Sequence, residues 1–173
     1  MSILKKNDIY TVDIESYSSE AYGVCRIDGQ AVFVPKTLVG ETWEIKIVKV
    51  TAGAVFARPE RLLSASDARR VPLCPYYGRC GGCYTWHMSY EEELRFKLGR
   101  VNDALKHIGK QSLTASEIIG AENSEHYRNK GILAVAAING VPQFGFYRER
   151  SHELIAVDDC LIQNELCQKS AAA

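Results

Sequence analysis

Cys74, Cys80 and Cys83 stand together in Cys74-Pro-Tyr-Tyr-Gly-Arg-Cys80-Gly-Gly-Cys83, and Cys160 follows far downstream in Val157-Asp158-Asp159-Cys160. Thiolates grouped in this way hold metal centres. Two sulfurs separated by two residues reach one metal because the intervening pair turns the chain tightly, and glycines at 81 and 82 let the backbone come close to the centre. The loop supplies three ligands and needs a fourth from elsewhere. Cys160 and Cys167 are the candidates: Cys160 follows two acids and opens a predicted helix whose dipole favours a thiolate, so its position is the better one. Four thiolates suit zinc as well as an iron-sulfur cluster, and His87, four residues past Cys83, would complete a zinc site of three thiolates and one imidazole. Cys25, inside a predicted strand, and Cys167 fit better as packed apolar thiols.

The elements that must position these residues are legible in the hydrophobic pattern. Tyr10, Val12 and Ile14 alternate with polar neighbours, and Val24 to Ile27 and Ala31 to Val34 flank Asp28-Gly29, the pair a type I′ hairpin turn demands. Trp43, Ile45 and Ile47 alternate until Val48 breaks the period, as a bulge would, and a further strand follows from about Ala54 to Leu62. Five short strands over residues 1–62 predict a small closed barrel. Residues 63–72 have the look of a linker. Residues 73–173 then predict an α+β domain. Within it Ser89-Tyr90-Glu91-Glu92 is a capping box, Leu94, Leu98, Val101, Leu105 and Ile108 give one apolar helix face, and Gly109 sits where a C-terminal cap belongs. A short Ile118-Ile119 segment, Gly131 to Ile138, the turn Asn139-Gly140, Val141 to Tyr147 and Glu153 to Val157 predict β structure, and Leu161 to Ser170 a closing helix. The fold class expected is mainly β, with an α+β second domain.

Composition narrows the function. Lys plus Arg equals Asp plus Glu at 21 each, so no bulk charge argues for nucleic acid, and any such contact rests on local clusters. Nothing in the chain has the length or apolar character of a signal peptide or a membrane span, which predicts a cytoplasmic protein without membrane partners; there, six cysteines mean thiols or metal ligands before disulfides.

Taken in order, Cys74-x5-Cys80-Gly-Gly-Cys83, His126-Tyr127-Arg128-Asn129-Lys130, Gly145-Phe146-Tyr147 with Ser151-His152, and Asp159-Cys160 resemble the N-terminal half of the bacterial 23S ribosomal RNA uracil-5-methyltransferases. The opening sixty residues resemble that family's TRAM domain, an RNA-contacting barrel of oligonucleotide-binding type. The resemblance implies that Cys74, Cys80, Cys83 and Cys160 ligate a [4Fe-4S] cluster whose role is structural and RNA-positioning, with zinc as the alternative. It implies ribosomal RNA as partner, with transfer RNA as the variant and no DNA. The family's reaction adds a cysteine thiolate to C6 of a uracil, which makes C5 nucleophilic toward the methyl group of S-adenosylmethionine, after which a base removes the C5 proton.

That chemistry belongs, in the family, to a C-terminal Rossmann-like domain, and here it is missing: no glycine-rich turn after a strand offers a cofactor site, and Cys25 and Cys167 match no nucleophile motif. S-adenosylmethionine would therefore act only through that absent domain, and the chain is expected to be inactive alone, as a gene fragment or with a partner chain supplying catalysis. The resemblance also moves Arg128, Asn129 and Lys130 forward as RNA contacts, together with Phe146, Tyr147, Arg148 and Arg150 on the returning strand and Tyr22, Arg26 and Phe33 on the barrel; arginine holds phosphate, and aromatic faces stack on splayed bases. A reading of another class is a free-standing zinc or iron-sulfur RNA-binding module with no enzyme attached. Radical methylthiotransferases also carry a TRAM domain and a [4Fe-4S] cluster, but their Cys-x3-Cys-x2-Cys spacing and the opposite placement of TRAM do not fit. Replacing Cys80 by Ala should remove the metal and destabilise the second domain, while Cys25→Ala should leave metal content unchanged; equal loss in both would overturn the ligand assignment.

Overall fold

The computed structural model describes residues 4–172. It divides into two compact units: the chain up to Arg70 together with His87–Ile118, and Val71–Trp86 together with the chain from Ile119. The division differs from the sequential boundaries expected above, because the helical segment after His87 groups with the first unit rather than with the chain of the cysteine loop.

The first unit is built on β1 (Ile9–Asp13), β2 (Ser16–Tyr17), β3 (Gly23–Ile27), β4 (Gln30–Val34), β5 (Thr42–Val50) and β6 (Val55–Ser64), in the spatial order β1-β5-β6-β4-β3-β2. Only Ile14 and Glu15 separate β1 from β2, and their amides donate to Glu41 O and Val24 O, both at 2.9 Å. The two are halves of one bent strand that serves both ends of the order, so the sheet closes on itself and the five expected strands are all present. Asp28 and Gly29 have φ of 50° and 79°, the pair of positive values a type I′ turn needs. The register steps from Ile47↔Ala57 to Lys49↔Phe56, which leaves Val48 as the bulge. Val12, Ile14, Cys25, Val32, Val34, Ile45, Ile47, Val55 and Ala57 fill the interior. Cys25 is one of them: its thiol faces Val32 O at 3.8 Å, and burial pushes it up to about 11, as suits a packed, inert sulfur.

Glu41, fully buried, fastens the chain beyond β6 to this barrel. Its carboxylate accepts from both Nε and Nη2 of Arg69, from Leu38 N at 2.8 Å and from Trp43 Nε1 at 2.7 Å. Arg69 also donates to Lys36 O at 2.9 Å and lies 5.3 Å over the Trp43 ring. Arg70 N donates to His87 O and Ser89 N to Ala68 O, so Ala68 to Arg70 are tied down within the expected linker 63–72, and the boundary between the two units falls just after them, at the exposed Val71.

The helix α1 (Tyr90–Asp103) starts as its sequence predicts, with Ser89 Oγ accepting from Glu92 N at 3.2 Å. The reciprocal half of the capping box is absent: the Ser89 amide is taken by Ala68, and the Glu92 carboxylate accepts from Tyr17 Oη at 2.7 Å and pairs with Arg95 at 2.6 Å. Past Asp103 the chain adds one π-helical turn, Ala104–Ile108. Gly109 stays right-handed at φ −73°, and Lys110, at φ 52°, takes the left-handed position instead. The predicted apolar face is not buried in either helical stretch, and Val101 and Ile108 are exposed.

The second unit carries a three-stranded antiparallel sheet, β7 (Ala134–Ile138), β8 (Val141–Tyr147) and β9 (Leu154–Ala156), in that order, and a short helix α2 (Glu165–Ala172). Asn139 and Gly140, at φ 54° and 81°, make the second predicted I′ turn. Ile118-Ile119 forms no strand, having no partner sheet to join. Among the described residues no helix is long and apolar enough to cross a membrane.

Removing Glu41 strands Arg69 and breaks a buried pair, so Glu41→Ala should lower the unfolding free energy of the first unit by about 3–5 kcal/mol in chemical denaturation. Burial alone pushes the Glu41 carboxyl up, but the bonds from Arg69, Trp43 and Leu38 together outweigh it and hold the group below its ordinary 4.5. Its contribution is therefore complete above that value and lost as pH falls through the lower folded value; Glu41→Gln should flatten this acid limb of the stability profile.

Candidate metal and RNA-contact site

The cysteine loop is wound by its own backbone. Tyr77 N donates to Cys74 O at 3.1 Å, Cys80 N to Tyr76 O at 2.9 Å, and Gly78 supplies the positive φ of 85° between them. The loop then adds itself to the end of β8: Cys80 bridges Arg148, and Gly81 N donates to Tyr147 O at 3.0 Å. A Cβ at Gly81 would lie 2.9 Å from Tyr147 O and from Glu149 N, both backbone atoms that cannot swing aside. The Gly82 amide donates to Cys80 Sγ at 3.4 Å.

The segment carrying Cys160 is brought to the same place. Tyr76 Oη contacts Asp158 twice, donating to Oδ2 at 3.5 Å and accepting from the amide at 3.3 Å. His126 N, Arg128 N and Asn164 N donate to Leu161 O, Ile162 O and Arg128 O, stitching 126–128 alongside 161–164. As a result Cys74, Cys80, Cys83 and Cys160 line one cavity, whose other walls are Tyr76, Tyr77, Gly82, Phe146, Val157, Ile162 and Arg128. Desolvation by burial, followed by the neighbouring sulfurs, pushes the Cys80 and Cys83 thiols up, Cys83 to about 11; a Trp86 hydrogen bond opposes this at Cys83 and the Gly82 amide at Cys80.

Cys160 does not open a helix, since α2 begins at Glu165; its amide donates instead to Gln168 Oε1 at 2.6 Å. Cys167 is not among the cavity residues, and its thiol faces Asn129 O at 3.4 Å. His87 is buried in the first unit near Thr37, Glu41 and Arg69, where burial first and Arg69 second pull it down to about 4. Among the described residues no three His, Cys, Asp or Glu side chains close on one point as the ligands of a single ion do. The cavity volume is about 30 Å³, so the thiols must swing outward to admit a cluster, while an all-thiolate set between apolar walls is the donor chemistry such a cluster takes.

The expected RNA contacts divide into two groups. Tyr147, Arg148, Arg150, Arg128, Asn129, Lys130 and Arg26 are exposed. Phe146 faces the cysteines, and Tyr22 is only 8% exposed, which removes its ring from the barrel surface; Phe33 is half-buried and tilted against Phe56 at 5.6 Å. Arg148 pairs with Glu153 at 3.0 Å and Arg150 with Glu149 at 3.5 Å. The tie between Tyr76 and Asp158 went unread in the sequence, because nothing local signals a contact 82 residues apart.

The family model described as the TRAM domain matches residues 4–59. Those residues are a TRAM domain. An uncharacterized RNA methyltransferase of Listeria monocytogenes is 42% identical over 164 residues, 95% of this chain and 36% of that protein. A second, from Halalkalibacterium halodurans, is 42% identical over 163 residues, 94% of this chain and 36% of that protein. The chain is homologous to RNA methyltransferases, and it spans little more than a third of the length of the curated relatives it matches. In fold it resembles the Pyrococcus abyssi tRNA (uracil-54, C5)-methyltransferase, solved with S-adenosyl-L-homocysteine: the TM-score is 0.62 at 18% identity, over 94% of this chain and 35% of that one. The TRAM domain is the closed barrel, and the cysteine cavity lies outside it, in the second unit.

Gly81→Ala should push the cysteine loop off β8, destabilising the second unit by about 1–3 kcal/mol and lowering its content of any metal the four thiols hold. Gly82→Ala, whose Cβ would meet only Cys80 Sγ at an ordinary 3.4 Å, should retain more of both when the purified variants are compared by metal analysis and thermal melting.

Proposed function

We propose that this chain is the RNA-recognition and [4Fe-4S]-binding portion of an S-adenosylmethionine-dependent 23S ribosomal RNA (uracil-5-)-methyltransferase. The observation that carries the reading is the gathering of Cys74, Cys80, Cys83 and Cys160 round one cavity, on the end of an aromatic and arginine-bearing strand, in a chain that also holds a TRAM domain. The four thiols come from two segments far apart in sequence, so a centre bound between them would fasten the second unit together. An all-thiolate set suits zinc as well as a cluster, and the cluster is preferred here on the motif resemblance. Cys160 is the fourth ligand on this reading, and His87 is not one.

Methyl transfer is assigned to the part of the longer relatives that this chain does not span, where S-adenosylmethionine would supply the methyl group. The RNA side rests on the TRAM domain, on homology to RNA methyltransferases and on the exposed Arg128, Asn129 and Lys130. A transfer RNA target is the second reading, favoured by the fold shared with an enzyme described as acting on tRNA. The motif resemblance favours ribosomal RNA.

Purified without oxygen, the chain should contain about four irons and four sulfides, with broad absorbance near roughly 400 nm that air bleaches. One zinc without sulfide would replace the cluster by a structural zinc site and undercut the family assignment. Incubated alone with S-adenosylmethionine and ribosomal RNA, it should transfer no methyl group.

A further inference from the structure

The turn joining β8 to β9 sets Tyr147, already a candidate RNA contact, against His152, to which nothing above assigns a role. Tyr147, the last residue of β8, is 47% exposed, and its ring meets the His152 imidazole edge to face, with centroids 5.6 Å apart and planes at 79°. His152 is also exposed. The turn between them is stiff. Arg148 N donates to Glu153 O at 2.9 Å, Ser151 N to Arg148 O at 3.1 Å, and Glu153 N to Ser151 Oγ at 3.0 Å, while the cysteine loop bridges Arg148 from the other side. Two rings held rigidly at the surface lose little freedom when a third ring lands on them. The charges of the turn are matched, Arg148 with Glu153 and Arg150 with Glu149, so the turn has no excess cation to offer a phosphate. What it offers is a ring face, with the second ring set edge-on against it as a buttress.

We propose that Tyr147 and His152 form a buttressed platform, in which one unpaired RNA base stacks on the His152 ring while Tyr147 holds that ring in place, with His152 a binding residue that recognises the base face rather than the backbone. The proposal rests on the RNA-binding reading above. It separates two kinds of RNA contact within the second unit: electrostatic at the exposed Arg128 and Lys130, and stacking at the β8–β9 turn.

The test is binding of a fluorescently labelled, uridine-rich single-stranded RNA to the whole chain, prepared without oxygen and titrated at several salt concentrations. His152→Ala should weaken binding about tenfold, the scale of one lost base–aromatic stack, without changing the salt slope. His152→Phe, which keeps a ring, should bind like the unmodified chain, and His152→Gln, which keeps only polarity, should bind like His152→Ala. Unchanged binding by His152→Ala, a changed salt slope, or equal affinities of the Phe and Gln variants would overturn the platform. If His152→Ala loses its fold by near-UV circular dichroism, the Phe and Gln pair decides. An unmodified chain that binds no RNA at any salt would overturn the RNA reading together with the platform, whereas strong binding indifferent to position 152 would overturn the platform alone.

Discussion

The second unit has almost no apolar core. Among its described residues, Ile155, Val157 and Ile162 are the buried apolar side chains, and two of these three line the cysteine cavity. A unit this small cannot offset the entropy of ordering its chain with so little buried surface, which is the usual circumstance in which proteins turn to a metal or a partner. The site is therefore the centre of the fold rather than an addition to it. The backbone bonds that run from the cysteine loop to β8 and from residues 126–128 to 161–164 converge on that point.

The first unit is organised on the opposite principle. Its interior is a closed set of aliphatic side chains, and its main polar investment, the Glu41–Arg69 pair, is placed where the chain leaves the barrel. Five donors on one buried carboxylate, Ser66 N among them, hold the chain beyond β6 against the barrel. Such a group is tolerated inside because it is fully bonded, and it makes the exit path specific.

What the sequence revealed was local. Asp28-Gly29 and Asn139-Gly140 announce their turns through residues that accept positive φ, Val48 announces its bulge by breaking an alternation, and Ser89 announces the start of α1. The cysteine trio drew attention by its spacing, and Cys160 by its position after two acids, although the helix expected to open there begins only at Glu165. What stayed hidden depends on distant chain: the partners of Glu41, the contact of Gly81 with β8, and the burial of Tyr22. The grouping of α1 with the barrel was hidden for the same reason, since an apolar stripe states that a helix needs a partner and not which one.

The bent strand formed by β1 and β2 has a bearing on how the barrel is made. Residues 9–13 pair with β5 and residues 16–17 with β3, so one short stretch near the start of the chain is needed at both seams. During synthesis the β3–β4 hairpin can form as soon as it emerges, because its contacts are local. The opening strand must wait for β5, and the ring for β6, before either has a complete set of neighbours. Closure thus rests on pairings well separated along the chain, such as Ile9 with Lys46, and contacts of that kind are the ones that slow folding.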